Sequence, residues 1–238
     1  MGDAGGSPLT QSRPLRKDRA ESLFDLPVIT DVEVQNRYPT PFLVVSLDDT
    51  SSLNDRLREI ILGRAAVDPG VSLSNDGGWQ STPDFADWSG APGAQLLDLA
   101  IKVADSATAL ETEQDLQRGG PAWKINAWAN VNGPGHGNHP HHHPAAFWTG
   151  VYWVDDGGSG TDEPIGGELE IHDPRGVLPA FYAPRLRYAL PGYLSAGGQD
   201  FFKPRTGTMV IFPAWLVHAV RAYAGSSLRI SVAFNLSI

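Results

Sequence analysis

The 238-residue chain contains no cysteine. This excludes disulfides, thiolate zinc sites, iron–sulfur clusters and a cysteine nucleophile, so any metal must be held by histidines and carboxylates. A reducing compartment is compatible with the absence but not demanded by it. Long apolar runs are missing too. No stretch approaches the roughly 18 residues that a membrane span needs, and the N-terminus lacks the apolar core of a signal peptide. The expectation is a soluble, cytoplasmic protein with no membrane partner. Basic residues are also scarce, with 18 Lys and Arg against 27 Asp and Glu. Four of them, Arg13, Arg16, Lys17 and Arg19, lie in the first twenty positions beside two acidic residues, which leaves 14 basic against 25 acidic side chains in the body. Such a body argues against nucleic acid as a partner.

Histidine, by contrast, is concentrated. His136, His139, His141, His142 and His143 put five of the seven histidines into eight residues. Neutral imidazole is the commonest protein ligand for iron, zinc, copper and nickel. Residues two apart on a strand share a face, so His141 and His143 can share one ion while His142 looks away. His139 has the same parity, but Pro140 disturbs its alignment. The competing reading is an exposed tract that collects metal adventitiously, or an expression tag. Against it, the tract is mid-chain and runs straight into the β-prone segment Phe147-Trp148-Thr149-Gly150-Val151-Tyr152-Trp153-Val154.

Residues 1–26 are rich in Gly, Ser, Pro and charge without periodicity, and read as a mobile tail before a single domain spanning 27–238. A chain of this length can bury one good core. Pro41 to Ser46 reads as a strand. A helix follows from about Ser52 to Arg64, with Leu53, Leu57, Ile60 and Ile61 on one face. Residues 67–92 form a long loop pinned by Trp79, Phe85 and Trp88. The clearest helical pattern runs from Gly93 to Arg118, closed by Gly119-Gly120-Pro121. After Pro121 the apolar period changes from 3.6 to 2. The run 123–132 places Asn126, Trp128, Asn130 and Asn132 on one face. Two helices followed by about eight short strands predict an α+β, mainly β protein, a jelly roll backed by helices. Between residues 176 and 206 lies a long irregular segment around which Arg175, Arg185, Arg187, Lys203 and Arg205 meet only Asp200. It is either a solvated loop or a cationic patch over the pocket for an anionic substrate, with Arg175 the best single candidate contact.

His218 stands apart from the tract in an apolar strand, and Arg229 follows eleven residues later inside another apolar strand. A permanently charged guanidinium is costly to bury unless it meets an anion. The pattern His141-x-His143, His218, Arg229 resembles the 2-oxoglutarate- and iron(II)-dependent oxygenases. Their double-stranded β-helix, a cupin-like jelly roll, carries a His-x-Asp/Glu pair, a distal His and an Arg or Lys about ten residues beyond. More narrowly, the chain resembles putative bacterial 2-oxoglutarate/iron(II) oxygenases in four places: Gly78-Trp79-Gln80-Ser81; His141-His142-His143-Pro144 before Thr149-Gly150-Val151-Tyr152; Asp173-Pro174-Arg175; and Phe212-Pro213-Ala214-Trp215-Leu216-Val217-His218. The likeness spans roughly Phe42 to Asn235.

The resemblance implies iron(II) on His141, His143 and His218, with 2-oxoglutarate and dioxygen as partners. Arg229 and Ser231 would clasp the distal carboxylate of 2-oxoglutarate, while Asn130 and Tyr152 would meet the proximal one. A small-molecule substrate would lie against Trp128 and Arg175. The implied reaction is hydroxylation with release of succinate and CO2. His143 takes the place of the usual carboxylate of the facial triad, unless Asp173 or Glu170 reaches the metal instead. Because His143 would fill the position that some relatives leave to a halide, halogenation is not expected. Two alternatives stay open: a three-His cupin-type dioxygenase without 2-oxoglutarate, and a non-enzymatic metal or small-molecule binding protein. A homodimer is an allowed assembly.

Overall fold

The computed structural model describes residues 31–35, 37–111, 121–161, 164–186, 188 and 197–238. The expected tail, 1–26, lies outside them. The chain divides into two units, Met1–Pro39 and Thr40–Ile238. The described part of the first contains no helix or strand.

Among its described residues the second unit holds eleven strands: β1 Leu43–Ser46, β2 Asn75–Asp76, β3 Trp79–Gln80, β4 Lys124–Asn132, β5 Gly137–His141, β6 Trp148–Asp155, β7 Leu169–His172, β8 Gln199–Phe202, β9 Thr208–Pro213, β10 His218–Val220 and β11 Arg229–Ser237. The helices among the described residues are α1 Ser51–Ala65, α2 Phe85–Trp88, α3 Gly90–Ser106 and α4 Leu178–Tyr182. The strands form a six-stranded sheet ordered β1-β9-β6-β11-β4-β3 and a five-stranded sheet ordered β2-β5-β10-β7-β8. Every strand pair within them is antiparallel. This is the expected helix-backed double-stranded β-helix.

Alternation along the strands sorts the large sheet into two faces. Ala127, Ala129, Tyr152, Val154, Met209, Ile211, Ile230, Val232, Phe234 and Leu236 meet Leu57 and Ile61 of α1 and Leu96, Leu97, Ala100 and Ala104 of α3. The opposite face contributes Trp153, Val210 and Phe212, which pack with Leu169 and Leu216 in a second cluster. Gly150 lies opposite Phe234 in register, where a Cβ would collide with the phenyl ring and the Val210 carbonyl. Only glycine lets that ring cross the strand there.

The helix expected over Gly93–Arg118 differs. It begins at Gly90 and ends at Ser106, and residues 112–120 lie outside the described set. Thr108 ends it by donating its hydroxyl back to the Ala104 carbonyl, 2.7 Å away, while accepting the Trp148 indole N–H at 2.9 Å. Side-chain capture of this kind competes with continued helix, and hydrophobic periodicity does not register it. No described helix is long and apolar enough to cross a membrane.

Candidate metal centre

Three histidines converge at one end of the sandwich, and the strand register brings two of them together. His218 opens β10 and pairs with His141 on β5 on one side and with Ile171 on β7 on the other. Two residues on, Val220 pairs with Asn138, three residues from His141, so β5 carries a bulge. The bulge puts Asn138 and His141 together on the lining of the cleft and leaves His139 exposed. Bulges commonly re-aim side chains beside active sites. His143 lies just past the strand and is fixed by its own N–H, which donates to the Ala214 carbonyl at 2.9 Å. His142 between them is exposed, as its parity predicts.

One nitrogen from each of His141, His143 and His218 falls within 4.8 Å of the others. Nε2 of His143 and Nε2 of His218 are 3.3 Å apart. Nitrogens bound to one ion at about 2.1 Å stand roughly 3.0–3.4 Å from each other, so this pair already has ligand spacing. Two tautomers are fixed by backbone carbonyls, which can only accept. His141 Nδ1–H donates to the His139 carbonyl at 2.7 Å, and His218 Nδ1–H to that of Leu216 at 2.8 Å. Both rings thus present a bare Nε2 lone pair, as metal ligation requires. Burial lowers all three pKa values, to about 3 for His143 and about 4 for His218, with mutual repulsion between rings adding to the effect. The trio is therefore neutral near pH 7, and these donors fit a borderline metal such as iron(II).

A cleft with about 540 Å³ of empty space, part of it open to solvent, runs from the histidines between the sheets. Its floor is the inner face of β4, β11 and β6. Ser231 pairs with Asn130 on one side and Trp153 on the other, making one cross-strand row; the next row is Trp128, Ala233 and Val151. The Trp128 ring is 5.7 Å from that of His143. At the far end Arg229 is 3% exposed, and no carboxylate lies within ion-pair distance of it among the described residues. Its Nε has no hydrogen-bond partner. Burial brings its pKa down to about 10, while the charges of Asp156 and Glu168 act in the opposite direction, so it remains cationic. The indole N–H of Trp153, another residue of the cleft lining, also has no acceptor. A buried, unpaired guanidinium is suited to an anionic ligand such as a carboxylate.

Asn130, Trp128, Arg229 and Ser231 thus line the cleft with the three histidines, but two candidates do not. Tyr152 is fully buried on the other face of β6, where its hydroxyl donates to Asn54 Oδ1 at 2.6 Å. It cannot meet the co-substrate, because the strand turns it toward α1. Arg175 forks onto Asp173, Nε to Oδ1 at 2.8 Å and a terminal nitrogen to Oδ2 at 2.7 Å. Its charge is neutralised at an exposed turn outside the cleft, so it is not a free cation awaiting a substrate. The carboxylates offered as metal ligands are engaged as well. Asp173 also accepts from Gly197 N–H at 2.6 Å, and Glu170 lies 3.0 Å from His172 Nε2. The sequence reading passed over Trp153 and Asn235, whose side chain reaches His143 Nδ1 at 3.4 Å. Alternation from Ser231 would have placed Asn235 on the cleft face.

A family model described as "Putative 2OG-Fe(II) oxygenase" matches residues 126–235, which include every strand that supplies a cleft-lining histidine, Arg229 and Ser231. No curated protein matches the chain. Among solved structures, a Pseudomonas putida prolyl-4-hydroxylase superposes with a TM-score of 0.56 at 14% identity, covering 82% of this chain and 91% of that one. A Trichoplax adhaerens prolyl hydroxylase, solved with a hypoxia inducible factor peptide fragment, gives 0.55 at 11% identity over 82% and 83%. HygX from Streptomyces hygroscopicus, solved with nickel and 2-oxoglutarate, gives 0.55 at 14% over 83% of each chain. At such identities these three establish the shared fold. The family match over residues 126–235, the shared fold and the three-histidine centre agree with the resemblance to 2-oxoglutarate- and iron(II)-dependent oxygenases.

Proposed function

We propose that the protein hydroxylates a small molecule, with iron(II) on His141, His143 and His218 and 2-oxoglutarate between that centre and Arg229. The observation that carries the reading is the guanidinium of Arg229, buried to 3% exposure with no carboxylate partner among the described residues, in the same cleft as three neutral imidazoles. Bound together, iron(II) and 2-oxoglutarate supply the oxidising chemistry, consuming dioxygen and releasing succinate and CO2 as a substrate C–H bond becomes C–OH. The protein's part is binding, orientation and exclusion of water. Arg229 and Ser231 clasp the distal carboxylate, and Trp153 adds its indole N–H. Asn130, in the same cross-strand row, offers an amide to the co-substrate's other end. Trp128 walls the substrate side beside His143. Asp173 holds Arg175 outside the cleft, so the reading needs no anionic group on the substrate.

Purified protein with iron(II) and 2-oxoglutarate should form succinate, and Arg229→Ala should abolish it. Anaerobic mixing should give a metal-to-ligand charge-transfer band that reports both partners at once. A three-His dioxygenase without the co-acid would instead take up dioxygen in the absence of 2-oxoglutarate and be indifferent to Arg229. Zinc or nickel retention with no oxygen uptake under any condition would mark a binding protein and end the enzymatic reading.

A further inference from the structure

His143 is the one ligand of the three whose Nδ1 has no carbonyl to hold its proton. Its Nε2 faces His218 Nε2 at 3.3 Å. His218 keeps its proton on Nδ1, against the Leu216 carbonyl, so its Nε2 is a bare acceptor. The proton between the two rings therefore belongs to His143 Nε2. Its Nδ1 is then a lone pair, and the group that faces it, Asn235 Nδ2, is a donor at 3.4 Å. This arrangement is consistent, but it is the wrong tautomer for a metal ligand and it leaves the buried Asn235 Oδ1 without any partner.

Half a turn of the Asn235 amide about its last side-chain bond corrects both faults. Oδ1 then faces Nδ1, which takes the proton, and Nε2 is bare. Neighbouring groups do not compete for the amide. Thr149, opposite Asn235 on β6, spends its hydroxyl on the Phe234 carbonyl at 3.2 Å, and Asn126, opposite on β4, is exposed. The backbone of Asn235 is held in two ladders, so only the amide has to move.

We propose that Asn235 is the positioning residue for His143, donating to Nδ1 in the metal-free protein and accepting from Nδ1 once a metal is bound. One proton leaves Nε2 and one arrives at Nδ1, so the ring stays neutral and the exchange releases no net proton. Asparagine serves both states because its amide carries a donor and an acceptor in nearly the same shape. A partner on the second nitrogen of a metal-bound histidine commonly governs affinity by 10- to 100-fold.

The inference rests on the three-histidine assignment, and the test separates the two. Long-range 15N–1H spectra of 15N-histidine-labelled protein are recorded without metal and with zinc. In the wild type, His143 should carry its proton on Nε2 without metal and on Nδ1 with zinc. In Asn235→Asp, whose carboxylate only accepts, Nδ1 should be protonated in both states, with zinc bound at least as tightly as by wild type. In Asn235→Leu, zinc affinity should fall roughly 10- to 100-fold. If His143 shows one tautomer in both wild-type states, or if Asn235→Leu binds zinc as wild type does, the proposal is overturned while coordination shifts on His141 and His218 still support the metal site. Zinc that shifts none of the three rings overturns both.

Discussion

On β11, Ile230, Val232, Phe234 and Leu236 are each fully buried, in the core that includes α1 and α3. The intervening residues, Arg229, Ser231, Ala233 and Asn235, face the cleft and carry a charge, a hydroxyl, an amide and two polar atoms without partners. The same backbone ladder to β4 and β6 serves both sets. The first face stabilises the fold at roughly 1.5–3 kcal/mol for each large side chain removed from water. Unpaired polar groups on the second cost stability in the absence of ligand. A strand fixed by its apolar face can hold costly groups in place on the other, so their orientation does not have to be acquired when the ligand arrives.

The largest effect should come from the apolar face. Phe234→Ala removes a ring that fills the space above Gly150, where no side chain can collapse inward, and should destabilise the protein by about 3–5 kcal/mol in urea unfolding. A loss below 1 kcal/mol would mean that the outer face is not what fixes the strand. The cleft face should respond with the opposite sign. Arg229→Met keeps the volume and removes the unpaired charge, so the ligand-free protein should be as stable as wild type or more so. Its 2-oxoglutarate affinity should fall by roughly 30- to 4000-fold, from the ~2–5 kcal/mol that a buried charge contact carries. Destabilisation of the ligand-free variant by several kcal/mol would instead make Arg229 a structural partner of Asp156 and Glu168.

A finer cut uses Trp153. Trp153→Phe keeps an aromatic ring but deletes the N–H that has no partner in the ligand-free protein. Its loss should weaken 2-oxoglutarate binding by about 10- to 100-fold, since one donor to a charged acceptor is typically worth ~1.5–3 kcal/mol. Unfolding should change little by comparison, because no protein bond is broken. Equal affinity in titration calorimetry would make Trp153 an apolar wall and nothing more.

The same contrast explains what could be read from sequence. On β4, buried alanines alternate with Trp128 and the asparagines, so the cleft face could be assigned in advance. On β6 both faces are buried, and six of its eight residues are inaccessible. Parity then distinguishes Tyr152 from Trp153 but polarity does not, and the phenol was the natural but wrong choice. Parity also related His141 to His143 correctly, yet it could not foresee the bulge that brings Asn138 onto the cleft lining and leaves His139 exposed, because a bulge depends on the partner strand. Arg175 looked available because its partner, Asp173, is two residues away, where sequence shows adjacency but not the fork. His218 and Arg229 were legible because charge and imidazole stand out in apolar strands.

Acidification should separate the two faces without any substitution. Burial holds His143 at about 3 and His218 at about 4, and His141 below its ordinary value of 6.5, whereas the unfolded chain takes up these protons near 6.5. Between those limits the unfolded state binds more protons, so the stability of metal-free protein, complete above about pH 6.5, should decline as the pH falls toward 4. The apolar face has nothing to titrate there. Asp84 and Asp173 belong to a lower window. Their folded pKa values lie below 3.8, so the stability they contribute is present above that value and lost only beneath it. Urea midpoints measured at half-unit intervals should therefore show a decline from pH 6.5 to 4 that His143→Leu flattens. Identical slopes in His143→Leu and wild type would mean that the His143 ring is solvated, and would remove the desolvated, neutral ligand set on which the metal assignment depends.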